Sequence, residues 1–515
     1  MPCKMKKSIL ALILVFVTCQ LSAQLQDRTW IFGRPIVGNS NATLYFGDIL
    51  NPVVNLPTGQ PSQITTSNGG EQWAVISNPY TGTLIFYTDG KNVFDNHNNL
   101  VSSVDLGGNP SSSQPVAVAP IPHSDTLKSL YRQYFIFSNG TGGVNASFDI
   151  GTITCHVYDA VSQTFSGSMA MPGPYGNSLV TEGMKLVPSD TDPDVMWLIV
   201  SLFPDVPADS CKYVVYKINR NVVTYAGNYD FGPKKLPLPG SSASPIVFFT
   251  SSKAGAYTGI TKLAVAVQYT SAVFTIQFDN INGEFLPATV KLCDPGYPSS
   301  IPSVYNVEFS PYGNYLYYTV YRTDMDQNQL FQVDLSNATF SHTLIHTFPE
   351  PYAGGLKRGP DGLIYHISDD GYYSGHLQLG RILLPEDKFI PGVTAFSDFY
   401  QEDFVVYNNV FGVGLCEFPV LPDGTKAGLP DAAPGQPLTV YPNPAKNLVT
   451  ITTPVQLSGW CDLSVVTLQG TTVLKRQMQA EIHMTMDVST LDAGVYLLSI
   501  ENRHDIFRCK LIIRK

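Results

Sequence analysis

The chain has 515 residues, which at about 150 per domain implies at least two folded units. Only 14% of residues are charged against about 25% in an ordinary soluble protein, while glycine (42), proline (38), tyrosine (28) and phenylalanine (27) are abundant. Such a turn-rich, strand-favouring composition excludes helical bundles, coiled coils and a doubly wound nucleotide-binding fold, and a net charge of -10 excludes a non-specific nucleic-acid binder, which needs a basic surface.

In chain order the first element is a secretory signal peptide over residues 1–23. Lys4, Lys6 and Lys7 form its positive end, Ile9 to Val17 its apolar stretch and Leu21-Ser22-Ala23 its small-residue cleavage site. No later segment reaches the 18 or so consecutive apolar residues of a membrane helix, so no membrane span is expected. Six cysteines follow: Cys155, Cys211, Cys293, Cys416, Cys461 and Cys509. None belongs to a CxxC pair, so neither a zinc knuckle nor a thioredoxin-type site is supported.

From residue 24 to 420 one pattern recurs: a glycine-bearing turn, an alternating aromatic or β-branched strand, a polar turn and a further strand. With Ile85, Phe135, Trp197, Val265, Leu316 and Ile364 as markers, the intervals are 50, 62, 68, 51 and 48 residues. A loose period of that size with several short strands per unit predicts a β-propeller, in which a closed ring of blades buries faces that one blade cannot bury alone. Six units are visible. The strands around Trp30–Phe32 and Leu44–Phe46 are expected to pair with the final strands around Val405–Phe418 and close a seventh blade, with six or eight blades as alternatives. Helix signals are nearly absent.

No nucleophile elbow, HExxH, phosphate loop or dinucleotide GxGxxG follows a strand, and no cofactor is expected except calcium. Its candidate ligands lie in two acidic loops, Asp190-x-Asp192-x-Asp194 and Asp324-x-Asp326-x-Asn328, where oxygen ligands recur at alternate positions. Neither loop has the glycine and glutamate of a complete calcium loop, and a solvated hairpin turn is the plainer reading of each. His342 and His346 alternate onto one face of a strand but lack a third ligand. Among the aromatic residues, Tyr372 and Tyr373 beside Asp369-Asp370-Gly371 are the candidates for contact with a glycan or protein, whereas Tyr317 is read as core. Glu182 is the carboxylate to test first for catalysis, against a structural role as acceptor for buried N–H groups.

Residues 421–437 form a Gly/Pro-rich linker without apolar periodicity. Beyond it, residues 437–515 carry eight Lys or Arg against six Asp or Glu, whereas residues 24–436 carry 20 against 35, so the charges are +2 and -15. The short strands of residues 438–515 predict a small immunoglobulin-like β-sandwich, with Pro442 and Pro444 at an edge-strand turn and Gly470 in a hairpin. Cys461 and Cys509, on two of its strands, are expected to lie within bridging distance. The basic end formed by Arg508, Lys510, Arg514 and Lys515 is read as a strand offered to an acidic receptor.

Two resemblances follow from these segments. The stretches WIFG (Trp30–Gly33), GTLIFYTDGKNVFDNHNNLV (Gly82–Val101), NPSSSQPVAVAPIP (Asn109–Pro122), FSPYGNYLYY from Phe309 and GPDGLIY from Gly359 together resemble the propeller-like region of Bacteroidetes surface proteins associated with gliding and type IX secretion. That resemblance implies an extracellular propeller without a defined chemistry. The segments VYPNPAKNLVTI (Val440–Ile451), VTLQGTTVL (Val466–Leu474), MDVSTLDAGVYLLSI (Met486–Ile500) and KLIIRK (Lys510–Lys515) resemble the type IX secretion C-terminal sorting domain in order and spacing. The positions carrying that resemblance are Tyr441, Pro442, Asn443, Pro444, Gly470, Asp487, Gly494, Tyr496 and Lys510. It implies passage through the periplasm, recognition by the type IX machinery, and delivery to the outer surface or medium with the tail usually removed. The expected function is therefore binding, adhesion or structure at the cell surface, directed to a glycan or protein; the alternative is an extracellular hydrolase acting on glycans in the propeller channel.

Overall fold

The computed structural model describes residues 29–514 apart from several segments, the longer being 36–41, 47–52, 55–71, 123–131, 204–210, 233–246, 294–301, 370–375, 416–438 and 453–459. The signal peptide and the linker thus lie outside the described residues. The chain divides into two compact units, and the described residues 29–415 and 439–514 fall in different ones.

In the first unit, among the described residues, seven antiparallel sheets of three or four strands succeed one another along the chain, besides two two-stranded ribbons, Gly142–Val144 with Ser147–Asp149 and Arg34–Pro35 with Val410–Phe411. Sheet 1 holds Thr29–Phe32, Ala42–Tyr45 and Val53–Val54; sheet 2 holds Ala74–Ser77, Leu84–Thr88 and Val93–Asp95. Four strands each make sheet 3 (Val116–Pro120, Gln133–Asn139, Ile153–Asp159, Thr164–Ala170) and sheet 4 (Val180–Pro188, Val195–Leu202, Cys211–Asn219, Val222–Phe231). Sheet 5 has Val247–Lys253, Ile260–Val267, Ala272–Asp279 and Glu284–Cys293. Sheet 6 follows with Pro302–Phe309, Tyr315–Arg322, Gln327–Asp334 and His342–Phe348, and sheet 7 with Tyr352–Arg358, Ile364–Asp369, His376–Ile382 and Tyr400–Asn408. The one short helix among the described residues, Phe396–Phe399, leads into the last of these strands.

Each of the six marker residues lies on the second strand of its sheet, from Ile85 in sheet 2 to Ile364 in sheet 7. Second strands have neighbours on both sides and are covered on both faces; Val195–Leu202 is buried throughout its eight residues. Apolar layers run between successive sheets all the way round. Val118, Tyr134 and Phe86 join sheets 2 and 3; Phe137, Met184 and Leu198 join sheets 3 and 4; Trp197, Tyr213 and Phe278 join sheets 4 and 5. Ala264, Val304 and Tyr318 join sheets 5 and 6, and Leu330, Leu356 and Ile364 join sheets 6 and 7. A last layer packs Trp30, Phe32 and Leu44 of sheet 1 with Trp73 and Tyr87 of sheet 2 and with Tyr365, Leu377 and Leu379 of sheet 7. From sheet 1 to sheet 7 the first strands of successive sheets also touch, so they form the inner wall. This unit is an all-β, propeller-like domain.

Its closure differs in one respect from the sequence reading. Among the described residues Thr29–Phe32 and Ala42–Tyr45 pair with each other rather than with the end of the domain, and only Arg34–Pro35 pairs with Val410–Phe411. The apolar and aromatic faces of the first strands are satisfied by packing on sheet 7, so a long shared ladder is unnecessary.

The second unit is a sandwich. Thr439–Tyr441, Leu448–Thr452 and His483–Asp487 make a three-stranded sheet; Thr472–Gln479, Trp460–Thr467, Gly494–Glu501 and Ile506–Ile513 make a four-stranded one in that spatial order. Alternate residues of both, including Val449, Ile451, Leu463, Val465, Met486, Leu498 and Leu511, meet in one core.

Candidate functional site

Bulges interrupt the first strands of sheets 4, 6 and 7, between Val180 and Met184, Val304 and Val307, and Ala353 and Leu356. A bulge frees main-chain groups from the ladder, and buried groups so freed need partners. Side chains from neighbouring sheets supply them. Gln114, just ahead of the first strand of sheet 3, accepts the Met184 and Phe249 N–H groups on Oε1, each at 3.1 Å, and donates through Nε2 to the Phe249 carbonyl at 3.1 Å. One amide thereby links sheets 3, 4 and 5.

Glu182 and Glu308 are the only acidic residues in the first strands of the seven sheets, and both are buried. Glu182 accepts the Ser113 N–H at 2.6 Å. Glu308 accepts the Thr250 hydroxyl at 2.8 Å and the Phe309 N–H at 3.0 Å on one oxygen, and the Arg358 N–H at 3.3 Å on the other. Thr319 donates to the Gly354 carbonyl at 2.9 Å. Gly354 has no room for a side chain, since a Cβ there would meet the Ile367 carbonyl oxygen at 1.3 Å. The inner wall is thus polar, buried and occupied by cross-sheet hydrogen bonds. Sequence alone singled out Glu182 but missed Gln114 and Glu308, whose cross-sheet partners lie 50 to 135 residues away.

The other expected positions are dispersed. Asp190 accepts the Gly259 N–H at 3.1 Å, Asp192 accepts the Asp194 N–H at 3.0 Å, and Asp194 pairs with Arg220 at 2.7 Å. Asn328 is fully buried on a strand of sheet 6, its Nδ2 3.5 Å from His366 Nε2, while Asp324 and Asp326 lie outside the described residues. Among the described residues no three His, Cys, Asp or Glu side chains converge as a metal site would require. His342 and His346 do not share a face: a bulge intervenes, so His342 meets Tyr318 at 2.9 Å while His346 stacks on Phe396 with ring centroids 4.0 Å apart. Tyr317 and Tyr318 are fully buried and Tyr312 is 69% exposed; Tyr372 and Tyr373 lie outside the described residues.

In the sandwich, Tyr441 is 79% exposed, whereas Tyr496 is buried and donates its hydroxyl to the Asp492 carbonyl at 2.9 Å. Asn443 Oδ1 accepts the Ile512 N–H at 2.8 Å, and Ala445 forms a parallel bridge with Ile513, so the segment after Tyr441 clasps the end of the last strand. Exposed Asp487 accepts the Ser489 N–H at 2.8 Å, which with the Ser489 hydroxyl lowers its pKa. Gly494 opens its strand and Lys510 lies opposite Leu497; Pro444 and Gly470 are outside the described residues.

The structure does not bring Cys461 and Cys509 together. Cys461 is buried with Sγ 3.9 Å from Met484 Sδ. Cys509 faces Leu498, which in turn faces Val465, four residues along from Cys461. Two strand spacings and four residues separate the cysteines by about 10 Å across and about 13 Å along the sheet, beyond disulfide reach.

Residues 439–514 match the family profile described as the Secretion system C-terminal sorting domain. No curated protein matches the chain. Solved structures similar to it include a protein from Lactobacillus plantarum (TM-score 0.41, 11% identity, covering 76% of this chain and 100% of that one). Others are the exo-β-1,3-galactanase of Phanerochaete chrysosporium (0.34, 10%, 78% and 95%) and the β-propeller domain of Myceliophteria thermophila Cps50 (Swd1) (0.30, 9%, 73% and 93%). Among the described residues no helix is long and apolar enough to cross a membrane. With its motifs on a two-sheet sandwich that shares one core and the family profile matched over that same span, the region 439–514 is a type IX secretion C-terminal sorting domain, and the chain is an exported all-β protein delivered to the cell surface or extracellular space.

Proposed function

We propose that the propeller-like domain, with each of its seven sheets as a blade, is a non-catalytic binding or structural module that the sorting domain carries out of the cell. The observation that supports this is the condition of Glu182 and Glu308. Glycoside hydrolysis needs one carboxyl group free to donate a proton and another free to attack or to activate water. Here both carboxylates of the inner wall accept main-chain or hydroxyl hydrogens from neighbouring sheets. Their role is to fix the sheets around the axis, which leaves the loops at the rim for partners.

The exported protein, incubated with a panel of bacterial and plant polysaccharides, is expected to release no reducing ends while retaining binding to a glycan or protein partner on an array. Release of reducing ends that Glu182→Gln or Glu308→Gln abolishes would establish the hydrolase instead.

A further inference from the structure

The two edges of the four-stranded sheet in the sorting domain are not equivalent. At one edge, the end of Ile506–Ile513 is clasped by the chain that follows Tyr441: the Ile512 N–H bonds Asn443, the Ala445 N–H bonds the Ile512 carbonyl and the Arg514 N–H bonds the Ala445 carbonyl. At the other edge Thr472–Gln479 pairs with Trp460–Thr467 on one side, and among the described residues no strand pairs with it on the other. An edge of this kind is a row of main-chain donors and acceptors ready for another strand.

Its geometry and charge narrow what such a strand must be. The bulge lies between Val465 and Val466, so pairing from Leu474 to Gln479 is regular over six residues, long enough to template an added strand. Lys475, Arg476, Gln477 and Gln479 are exposed, and the strand TVLKRQMQ has two basic residues and no acidic one. Two copies pairing edge to edge would bring like charges together, which destabilises cross-strand pairs, whereas an acidic strand would be drawn in.

We infer that Thr472–Gln479 is a docking edge of the sorting domain, and that its occupant is an extended, acidic segment of the type IX secretion machinery added as a further strand. In such augmentation main-chain hydrogen bonds supply affinity and flanking side chains supply selectivity. The inference rests on the assignment of residues 439–514 as a sorting domain, and it moves the receptor contact away from the basic C-terminal strand, whose end the Asn443–Ala445 clasp occupies.

The test compares full-length variants in a type IX-competent host, measuring the fraction of protein outside the cells. Deletion of residues 438–515 must abolish export; if it does not, the sorting assignment itself fails. Lys475→Glu and Lys446→Glu make the same change of charge on exposed residues of this unit, but only the first lies on the edge. Lys475→Glu is expected to lower export about tenfold and Lys446→Glu by less than about twofold, as charge-selective augmentation requires, and Arg476→Glu added to Lys475→Glu deepens the loss. Circular dichroism melting of each purified full-length variant separates a docking defect from misfolding. Gln477→Pro, which removes one main-chain donor from an edge strand, supplies a second probe that does not depend on charge. Equal export of the Lys475→Glu and Lys446→Glu variants, with both folded, would overturn the inference. So would a dimeric mass for the wild type that becomes monomeric with Gln477→Pro, since the occupant would then be a second copy.

Discussion

Between the sheets of the propeller-like domain the contacts are ring on ring: Phe285 of sheet 5 meets Phe231 of sheet 4 with centroids 4.6 Å apart and Tyr213 of sheet 4 at 5.7 Å. At its axis they are a few hydrogen bonds, accepted by Gln114, Glu182 and Glu308 chiefly from main-chain N–H groups of neighbouring sheets. Burial of aromatic surface is nondirectional and scales with area, so the layers supply most of the stability while tolerating small rotations. A hydrogen bond to one particular N–H is weak in net terms but costly to leave unmade, so the axis determines how far each sheet can turn. The layers hold the domain together; the axis decides its arrangement.

That contrast can be broken at its strongest point by Trp30→Ala. Trp30 is fully buried in the layer that joins sheets 1, 2 and 7, with its ring 5.1 Å from those of Phe46 and Tyr365. Truncation is expected to cost about 3–5 kcal/mol in urea unfolding at neutral pH. A loss below about 1 kcal/mol would mean that closure does not rest on this layer.

The next effect concerns a polar group placed within a layer. His366 is buried among Phe348, Tyr400 and Asn328, with Nδ1 3.0 Å from the Tyr400 hydroxyl. Burial, with His346 nearby, depresses its pKa to about 3. The unfolded chain takes up this proton below about pH 6.5 while the folded chain stays neutral down to about pH 3, so stability falls as pH falls through that window. The expected loss is about 2 kcal/mol between pH 6.5 and 5, read from urea unfolding at each pH. His366→Gln is expected to flatten the slope; an unchanged slope would place the titration elsewhere.

At the axis, Glu308→Gln replaces acceptor oxygen by an amide donor facing the Thr250, Phe309 or Arg358 hydrogens. We expect a loss of about 1–2 kcal/mol without a change in strand content by circular dichroism. A loss matching that of Trp30→Ala would erase the distinction between axis and layer.

The smallest effect lies at a hairpin. Burial works to raise the pKa of Asp159, but hydrogen bonds from Ser162, Arg132 and Val161 outweigh it and hold the carboxyl down to about 2. Its contribution is therefore present above about pH 4 and lost as pH falls towards 2, the lower of two separate acid windows. With Arg132 half exposed, Asp159→Asn is expected to remove only about 1 kcal/mol at pH 7 and to flatten unfolding curves below pH 4.

How much of this was readable in the chain follows from which atoms do the pairing. The second strands announced themselves because burial on both faces demands runs such as VMWLIVSL and YLYYTVYR. A sharper marker was present but unread: Tyr158-Asp159 to Phe165, Phe278-Asp279 to Phe285 and Val333-Asp334 to Phe340 share one spacing, and each Asp caps the turn between the third and fourth strands. Acidic residues at alternate positions suggested calcium ligands, whereas hairpin aspartates repeatedly bond the N–H groups two or three residues ahead. The sorting domain was legible because its motifs are local and ordered. Gln114 and Glu308 were not, because the bonds by which they link sheets go mostly to main-chain atoms of distant strands, on which side-chain identity leaves no mark.

The short pairing of Arg34–Pro35 with Val410–Phe411 also bears on the order of events during synthesis. These partners are about 380 residues apart, so the entropy of closing that loop must be met before the contact forms. The strands of sheet 1 therefore await sheet 7, and a ribosome must finish nearly the whole domain before its earliest segment can settle. The same adjacency brings the two ends of the domain together, so a circular permutant opened at an exposed hairpin such as Val161–Gln163, with the old ends joined, should retain the native ring.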